Sequence, residues 1–307
     1  MTESQIVVKN LCKTYRVPER EAGVGAALKS LVHRVYRDVE AVRDVSFEIA
    51  RGEFVGFIGP NGAGKTTLLK CLDRIYRGGT GRIAIFGRPL ALYRQRELAR
   101  LLSYVPQADG PLVAFTVEQF VLMGRYPYLN PLSSIAHQDR QAVRRVMRRT
   151  GIEPLAHRTL DTLSGGERQK VYIAAALAQG AKVLLLDEPT TFLDYRHQAE
   201  IRDLLGEVNR QSAVTIVAVT HDVNRAALDS DRIIALSAGS VVFDGTPAQI
   251  MRPQTLQRIY GTPFLLVDHP EGDVPMIAPA RPRARQSQPP GESAPDRQRG
   301  PSEEENR

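Results

Sequence analysis

Polar and apolar positions alternate along two stretches near the amino terminus, residues 5–17 and 39–58, and β-branched residues are frequent in both, so both predict strands. Between them the period changes. After Gly23 and Gly25, the residues Ala27, Leu28, Leu31, Val32, Val35 and Tyr36 recur at helical spacing, with Lys29, Arg34 and Arg37 largely off that stripe. Residues 24–37 therefore predict a short basic amphipathic helix, either packed on the domain or facing a membrane surface or partner. FVGFIG, residues 54–59, is an unbroken apolar run that ends in a glycine-rich loop, and residues 65–76 predict a helix behind it. From about 112 to 160 the pattern is helical, with Thr116 as an N-cap before VEQFVLMG and an irregular break at PYLNPLSS. Arg140, Arg144, Arg145, Arg148 and Arg149 crowd one helix there, as a solvated face or a contact for lipid or a partner chain. Apolar runs return at 183–186 and 213–219 with a helix between them. Strand, helix, strand order implies parallel pairing and an α/β sheet. From Arg281 onward there is no aromatic residue and no Val, Ile, Leu or Met, a composition that predicts disorder. No internal repeat stands out.

Composition narrows the class. A chain of 307 residues, 42 % hydrophobic, is long enough for a sizeable core. Two cysteines far apart in sequence, Cys12 and Cys71, argue against a disulfide scaffold and for reduced thiols in a cytosolic protein. The start, MTESQIVVKN, lacks the basic and apolar regions of a secretory leader. No apolar run approaches the roughly 18 residues needed to span a bilayer. If the chain serves a membrane process, another chain does the spanning. The formal net charge of +7 fits a solubility balance, and equally a basic surface for anionic lipid or nucleic acid.

Three motifs carry chemistry. Gly59-Pro60-Asn61-Gly62-Ala63-Gly64-Lys65-Thr66 fits G-x-x-x-x-G-K-[ST] and lies between an apolar strand and a helix. Glycines let backbone amides approach phosphate oxygens, the helix start favours negative charge, Lys65 reaches the β and γ phosphates, and the Thr66 hydroxyl can bind Mg²⁺. In VLLLDEP the buried run Val183 to Leu186 ends at Asp187, placed for the Mg²⁺ shell, and Glu188, placed to polarise a water. LSGGERQK, residues 163–170, is a second glycine-rich helix start, an anion site or simply an N-cap and turn. Apolar runs end at Gly59, Gln107, Asp187 and His221. In parallel α/β sheets ligands bind beyond the carboxyl ends of the strands, so these four positions are expected to converge on one pocket.

In order and spacing, the phosphate loop, LSGGE and VLLLDEP resemble the nucleotide-binding domains of ABC transporters over about residues 5–270. The resemblance implies an α/β P-loop NTPase (RecA-like) core with an antiparallel β subdomain and an inserted α-helical subdomain at about 109–165. The domain would span 1–270, with 271–307 as a C-terminal extension. It also implies roles: Gln107 contacting Mg²⁺ and sensing the permease, and His221 contacting the γ-phosphate. Asp194 (TTFLD) is the D-loop aspartate, Tyr15 stacks on adenine, and Thr67 belongs to the phosphate site. Ser164, Gly165 and Gly166 grip the γ-phosphate bound to the opposite subunit. ATP and Mg²⁺ are the implied cofactors. The implied partners are a second ATPase subunit in a homodimer, transmembrane permease subunits and, indirectly, a substrate-binding protein, but not nucleic acid. The chain is then peripheral, on the cytoplasmic face of the inner membrane. A permease helix is expected in a groove lined by residues after Gln107 and by the segment holding Phe115, Phe120, Met123, Tyr126 and Tyr128. Ala175 stands where many relatives have arginine. FTVEQFVLMGRYPYL, TTFLDYRHQAEI and IYGTPFLLVDHPEGDVPMIAP look most like importers of iron-siderophores, haem and vitamin B12. An exporter ATPase is the alternative, since an insertion before Val39 is similar to that of certain exporters; a non-transport ABC ATPase is a further one. A plain kinase or GTPase would leave LSGGE unexplained.

Overall fold

The first two strands are long and pair along their whole length. The computed structural model describes residues 4–18, 36–107, 114–129, 135–270 and 272–278. Strand β1 (Ser4–Pro18) runs antiparallel to β2 (Tyr36–Ala50), from Ser4 opposite Ala50 to Pro18 opposite Tyr36. Strands β4 (Thr80–Ile85) and β5 (Arg88–Pro89) complete a four-stranded sheet of order β2-β1-β4-β5. Two expectations are corrected here. Residues 36–37 continue the ladder as strand instead of ending a helix; residues 24–35 lie outside the described residues. The stretch 39–58 is two strands, because the chain turns at Arg51 and Gly52, with Gly52 at φ 74°.

The second sheet has the order β10-β9-β3-β8-β7-β6. Strands β3 (Phe54–Ile58), β6 (Leu102–Val105), β7 (Val183–Asp187), β8 (Thr215–Val219) and β9 (Arg232–Ser237) are parallel, and β10 (Ser240–Gly245) is an antiparallel edge. Every residue of β3, β7 and β8 is buried, as a parallel sheet covered on both faces requires. Nine α-helices are described: α1 (Lys65–Leu72), α2 (Gln95–Ala99), α3 (Val117–Met123), α4 (His137–Arg149), α5 (Gly165–Ala178), α6 (Tyr195–Ser212), α7 (Val223–Asp229), α8 (Pro247–Ile250) and α9 (Pro253–Tyr260). Helix α1 is shorter than the expected 65–76. Asp73 caps it and Arg74 takes φ 58°, a reversal that no glycine announces.

Helices α3, α4 and α5 share an apolar cluster with Val117, Val121, Val143, Met147, Ile152, Leu160 and Val171, and α5 also packs on the parallel sheet through Ile173 and Ala176. That cluster includes Val171, Ala174 and Ala178 of α5. Thr116 does cap α3: its side chain accepts the Gln119 amide. At the other end, β11 (Leu265–Val267) and β12 (Met276–Ala278) make a hairpin fastened to α7 by paired bonds between the Asn224 amide group and the Ile277 backbone, 3.0 and 2.7 Å. The tail expected to be disordered from 281 lies outside the described residues.

Candidate active site

The phosphate loop leaves β3 at Ile58 and enters α1 at Lys65. Gly59 and Gly64 have φ 140° and 96°. A Cβ at Gly59 would fall 2.0 Å from the Leu236 carbonyl oxygen, and one at Gly64 2.2 Å from that of Ala41, so backbone packing alone demands glycine at both. The Lys65 ammonium folds back and donates to the carbonyls of Gly59 at 2.7 Å and Pro60 at 3.1 Å. Burial lowers its pKa; Glu188 and Asp187 work against that shift.

Asp187, buried at the end of β7, accepts from the Thr66 hydroxyl on Oδ1 (2.8 Å) and from the Tyr104 hydroxyl on Oδ2 (2.9 Å). Glu188 has φ 50°, a strained conformation for a residue with a side chain. Thr191 donates its hydroxyl to Glu188 Oε2 at 2.9 Å, and His221 Nδ1 stands 3.4 Å from the same oxygen. Gln107, Glu188 and His221, together with Asn61 of the phosphate loop, line one cavity of about 490 Å³. Of the four strand-end positions expected to converge, Gln107 and His221 line this cavity; Gly59 and Asp187 do not, although Asn61 and Glu188 near them do. Chemically, the arrangement offers an anion-binding loop, a carboxylate–hydroxyl pair of hard oxygen donors, and a carboxylate beside an imidazole able to handle a water proton.

Tyr15 lies at the far end of β1 against α1. Its ring meets Tyr76 edge-on at 5.5 Å, and its hydroxyl is buried beside Thr67. Ser164, Gly165, Gly166 and Asp194 are not among the residues lining the cavity. Ser164 caps α5 and Asp194 caps α6. Two residues that hold the site escaped the sequence reading, Tyr104 and Thr191. Thr191 carried a signal, a hydroxyl three residues after Glu188. Tyr104 carried none, since its partner is distant in sequence.

Beside the site, between β6 and the helical lobe, is a groove of about 330 Å³ whose walls include Tyr104, Phe120, Met123, Gly124, Tyr172 and Ala175. A Cβ on Gly124 would meet the Ala175 carbonyl at 2.2 Å, so α3 and α5 touch through backbone there. Phe115 and Met123 are exposed. Tyr126 projects, 65 % exposed, with Arg96 over its ring at 5.7 Å; Tyr128 is stacked by Arg100 at 4.9 Å and Arg125 at 4.0 Å. Among the described residues no helix is long and apolar enough to cross a membrane.

Residues 42–191 match the family described as ABC transporter. The chain is 38 % identical to the ferric enterobactin transport ATP-binding protein FepC of Escherichia coli K12 over 244 residues, 80 % of this chain and 90 % of that protein. It is 38 % identical to the hemin import ATP-binding protein HmuV of Burkholderia pseudomallei 1710b over 264 residues, 80 % of this chain and 97 % of that protein. Among solved structures, a metal-chelate-type ABC transporter in an inward-facing conformation superposes with TM-score 0.71 at 25 % identity, over 91 % of this chain and 98 % of that one. The dimeric ATP-binding cassette MJ0796 bound to ADP and Pi superposes with TM-score 0.64 at 26 % identity, over 79 % and 98 %.

Proposed function

The chain belongs to the ABC transporter family as one of its ATP-binding subunits, and we propose that it powers import of an iron chelate, a siderophore complex or haem, through a separate membrane permease. It binds and hydrolyses ATP. The cargo class rests on one observation, 38 % identity to ferric-enterobactin and hemin subunits across 80 % of the chain.

The hydrolytic reading rests on the shared cavity of Asn61, Gln107, Glu188 and His221. The amides at the start of α1 and the Lys65 ammonium hold the triphosphate, and Tyr15 stacks on the adenine. Thr66 and Asp187, with Gln107, would hold Mg²⁺, which would supply positive charge against the charge developing on the phosphate. Glu188 orients the attacking water and takes its proton. His221 donates to the γ-phosphate. Ser164, Gly165, Gly166 and Asp194 serve a site completed by a second copy, a reading supported by the dimeric cassette MJ0796. Phe192 and Tyr195, 88 % and 87 % exposed on either side of Asp194, support a covered face there. On this reading the dimer works on the cytoplasmic face of the membrane, receives a permease helix in the groove at Met123, and serves a substrate-binding protein indirectly.

Glu188→Gln tests the hydrolytic reading. It should keep ATP, dimerise by light scattering, and lose turnover by about 100-fold or more. Parental turnover in this variant would remove Glu188 from the role. Cells carrying Glu188→Gln in place of the parent should also lose uptake of radiolabelled ferric siderophore or haem; unchanged uptake of both would reject the cargo class.

A further inference from the structure

LSGGE and the loop ending at Asp194 are joined within this chain by one imidazole. Asp194 caps α6 by accepting the His197 amide at 2.9 Å, and the same carboxylate binds the His197 ring, with Nδ1 at 2.9 Å from Oδ2 and 3.0 Å from Oδ1. The Asp194 pKa is lowered, first by the His197 amide and then by its ring. An ionised carboxylate only accepts, so the ring proton is on Nδ1. The imidazole meanwhile lies on Gly166: a Cβ there would sit 2.3 Å from its Cγ and 2.4 Å from its Cδ2. Glycine at 166 is therefore what admits the ring. The loop behind Asp194 also reaches Glu188 through the Thr191 hydroxyl at 2.9 Å. Glu167 is the charged group of α5 that faces His197, and it is paired with Arg158 at 3.5 Å. One turn deeper, Lys170 pairs with Glu200, so the crossing of α5 and α6 does not depend on His197.

We propose that His197 is a positioning residue that locks the Glu188–Asp194 loop to the start of α5, so that both tips move as one piece when two copies close on ATP. The inference rests on the proposed reading of these tips as contacts across the dimer. Three variants of the full chain separate bond from packing: His197→Ala removes both, His197→Leu keeps bulk without the bond, and His197→Asn puts an amide where Nδ1 was. Each is made alone for kcat, and with Glu188→Gln for ATP-driven dimerisation by light scattering. The Ala and Leu variants should each lose roughly tenfold in dimer affinity and in kcat, the size expected for a bond to a charged group. Asn should restore most of both. Binding of a fluorescent ATP analogue by the monomer should not change, which a general folding defect would not allow. Leu dimerising like the parent, or Asn faring no better than Leu, overturns the inference. A Glu188→Gln parent that stays monomeric with ATP instead overturns the dimer reading itself, and this inference with it.

Discussion

Tyr104→Phe removes one hydroxyl and leaves the ring. That hydroxyl donates to Asp187 Oδ2 at 2.9 Å, while Thr66 serves Oδ1 at 2.8 Å, and the carboxylate is buried. Burial, and then the Asp187 charge, raise the Tyr104 pKa far above its ordinary value, so the phenol remains a donor at every workable pH. A hydrogen bond to a charged group contributes about 1.5–3 kcal/mol, and the substitution leaves a buried carboxylate with one side-chain donor. In a domain of this size each kcal/mol moves Tm by about 2–4 °C. The nucleotide-free variant should therefore melt roughly 3–12 °C below the parent. Under the proposed reading a bound cation takes over the compensation of Asp187, so the gap should shrink by at least half with Mg²⁺ and ATP. The assay is differential scanning fluorimetry in EDTA and in Mg²⁺–ATP, with Glu188→Gln present in both proteins so that ATP is not consumed. Equal melting in EDTA would refute the worth assigned to the bond. An equal gap in both buffers would refute Asp187 as a ligand of the cation.

Three further outcomes are expected. Lys65→Ala should bind ATP weakly, by at least tenfold in a fluorescent-nucleotide titration, because it removes the charge that pairs with phosphate; parental affinity would contradict that pairing. Tyr126→Ala with Met123→Ala should keep the free subunit's ATPase but weaken co-purification with the permease, by about 2 kcal/mol if Tyr126 is an anchor; Tyr128 is a poor choice because Arg125, stacked on it, also holds Asp139 at 2.9 Å. Asp73→Asn tests pH dependence. Burial raises the Asp73 pKa from 3.8 to about 7, with Arg74 opposing. The folded chain then holds a proton that the unfolded chain gives up, so stability is present below about pH 4 and lost as pH rises towards 7. The Asn variant escapes this loss: urea unfolding should find it more stable at pH 8, by on the order of 4 kcal/mol at most, and near the parent at pH 4.

What was legible in the sequence was what is local. The phosphate loop is eight consecutive residues between an apolar strand and a helix, and Gly59 and Gly64 in it answer to backbone contacts that leave no alternative. Asp187 and His221 could be placed because strands of one parallel sheet end at one edge. Tyr104 could not, because its neighbours read as an ordinary buried strand and its partner is 83 residues away. His197 hid for the same reason: its bond to Asp194 is local, but its packing on Gly166 depends on two helices crossing. The end of α1 was misjudged because Arg74, not a glycine, takes the left-handed conformation. Tyr36 and Arg37 were misjudged because a helical stripe and a strand ladder both explain an apolar residue beside a basic one, and only pairing with Val17 and Pro18 decides between them.

The helix starts around the site differ in a way that bears on their proposed roles. Helices α5, α6 and α7 each begin with a side-chain cap, from Ser164, Asp194 and Asp222. Helix α1 begins at Gly64 with no side-chain cap and no acid in its first turn. With glycine at the cap position the missing side-chain bond costs only on the order of a few tenths of a kcal/mol. The cost is imposed by geometry, since any side chain at 64 would collide with the Ala41 carbonyl. The amides at that end are left for an anion from outside, and phosphate is the cap that the loop's own chain cannot supply. Helix α5 is built otherwise. Its capping box already occupies the Ser164 and Glu167 amides, leaving those of Gly165 and Gly166, and Arg158 offsets the Glu167 charge that would repel a phosphate. A bare end suits first capture of a nucleotide. A finished end offering two glycine amides, held rigid by His197, suits docking onto a phosphate that another copy already holds.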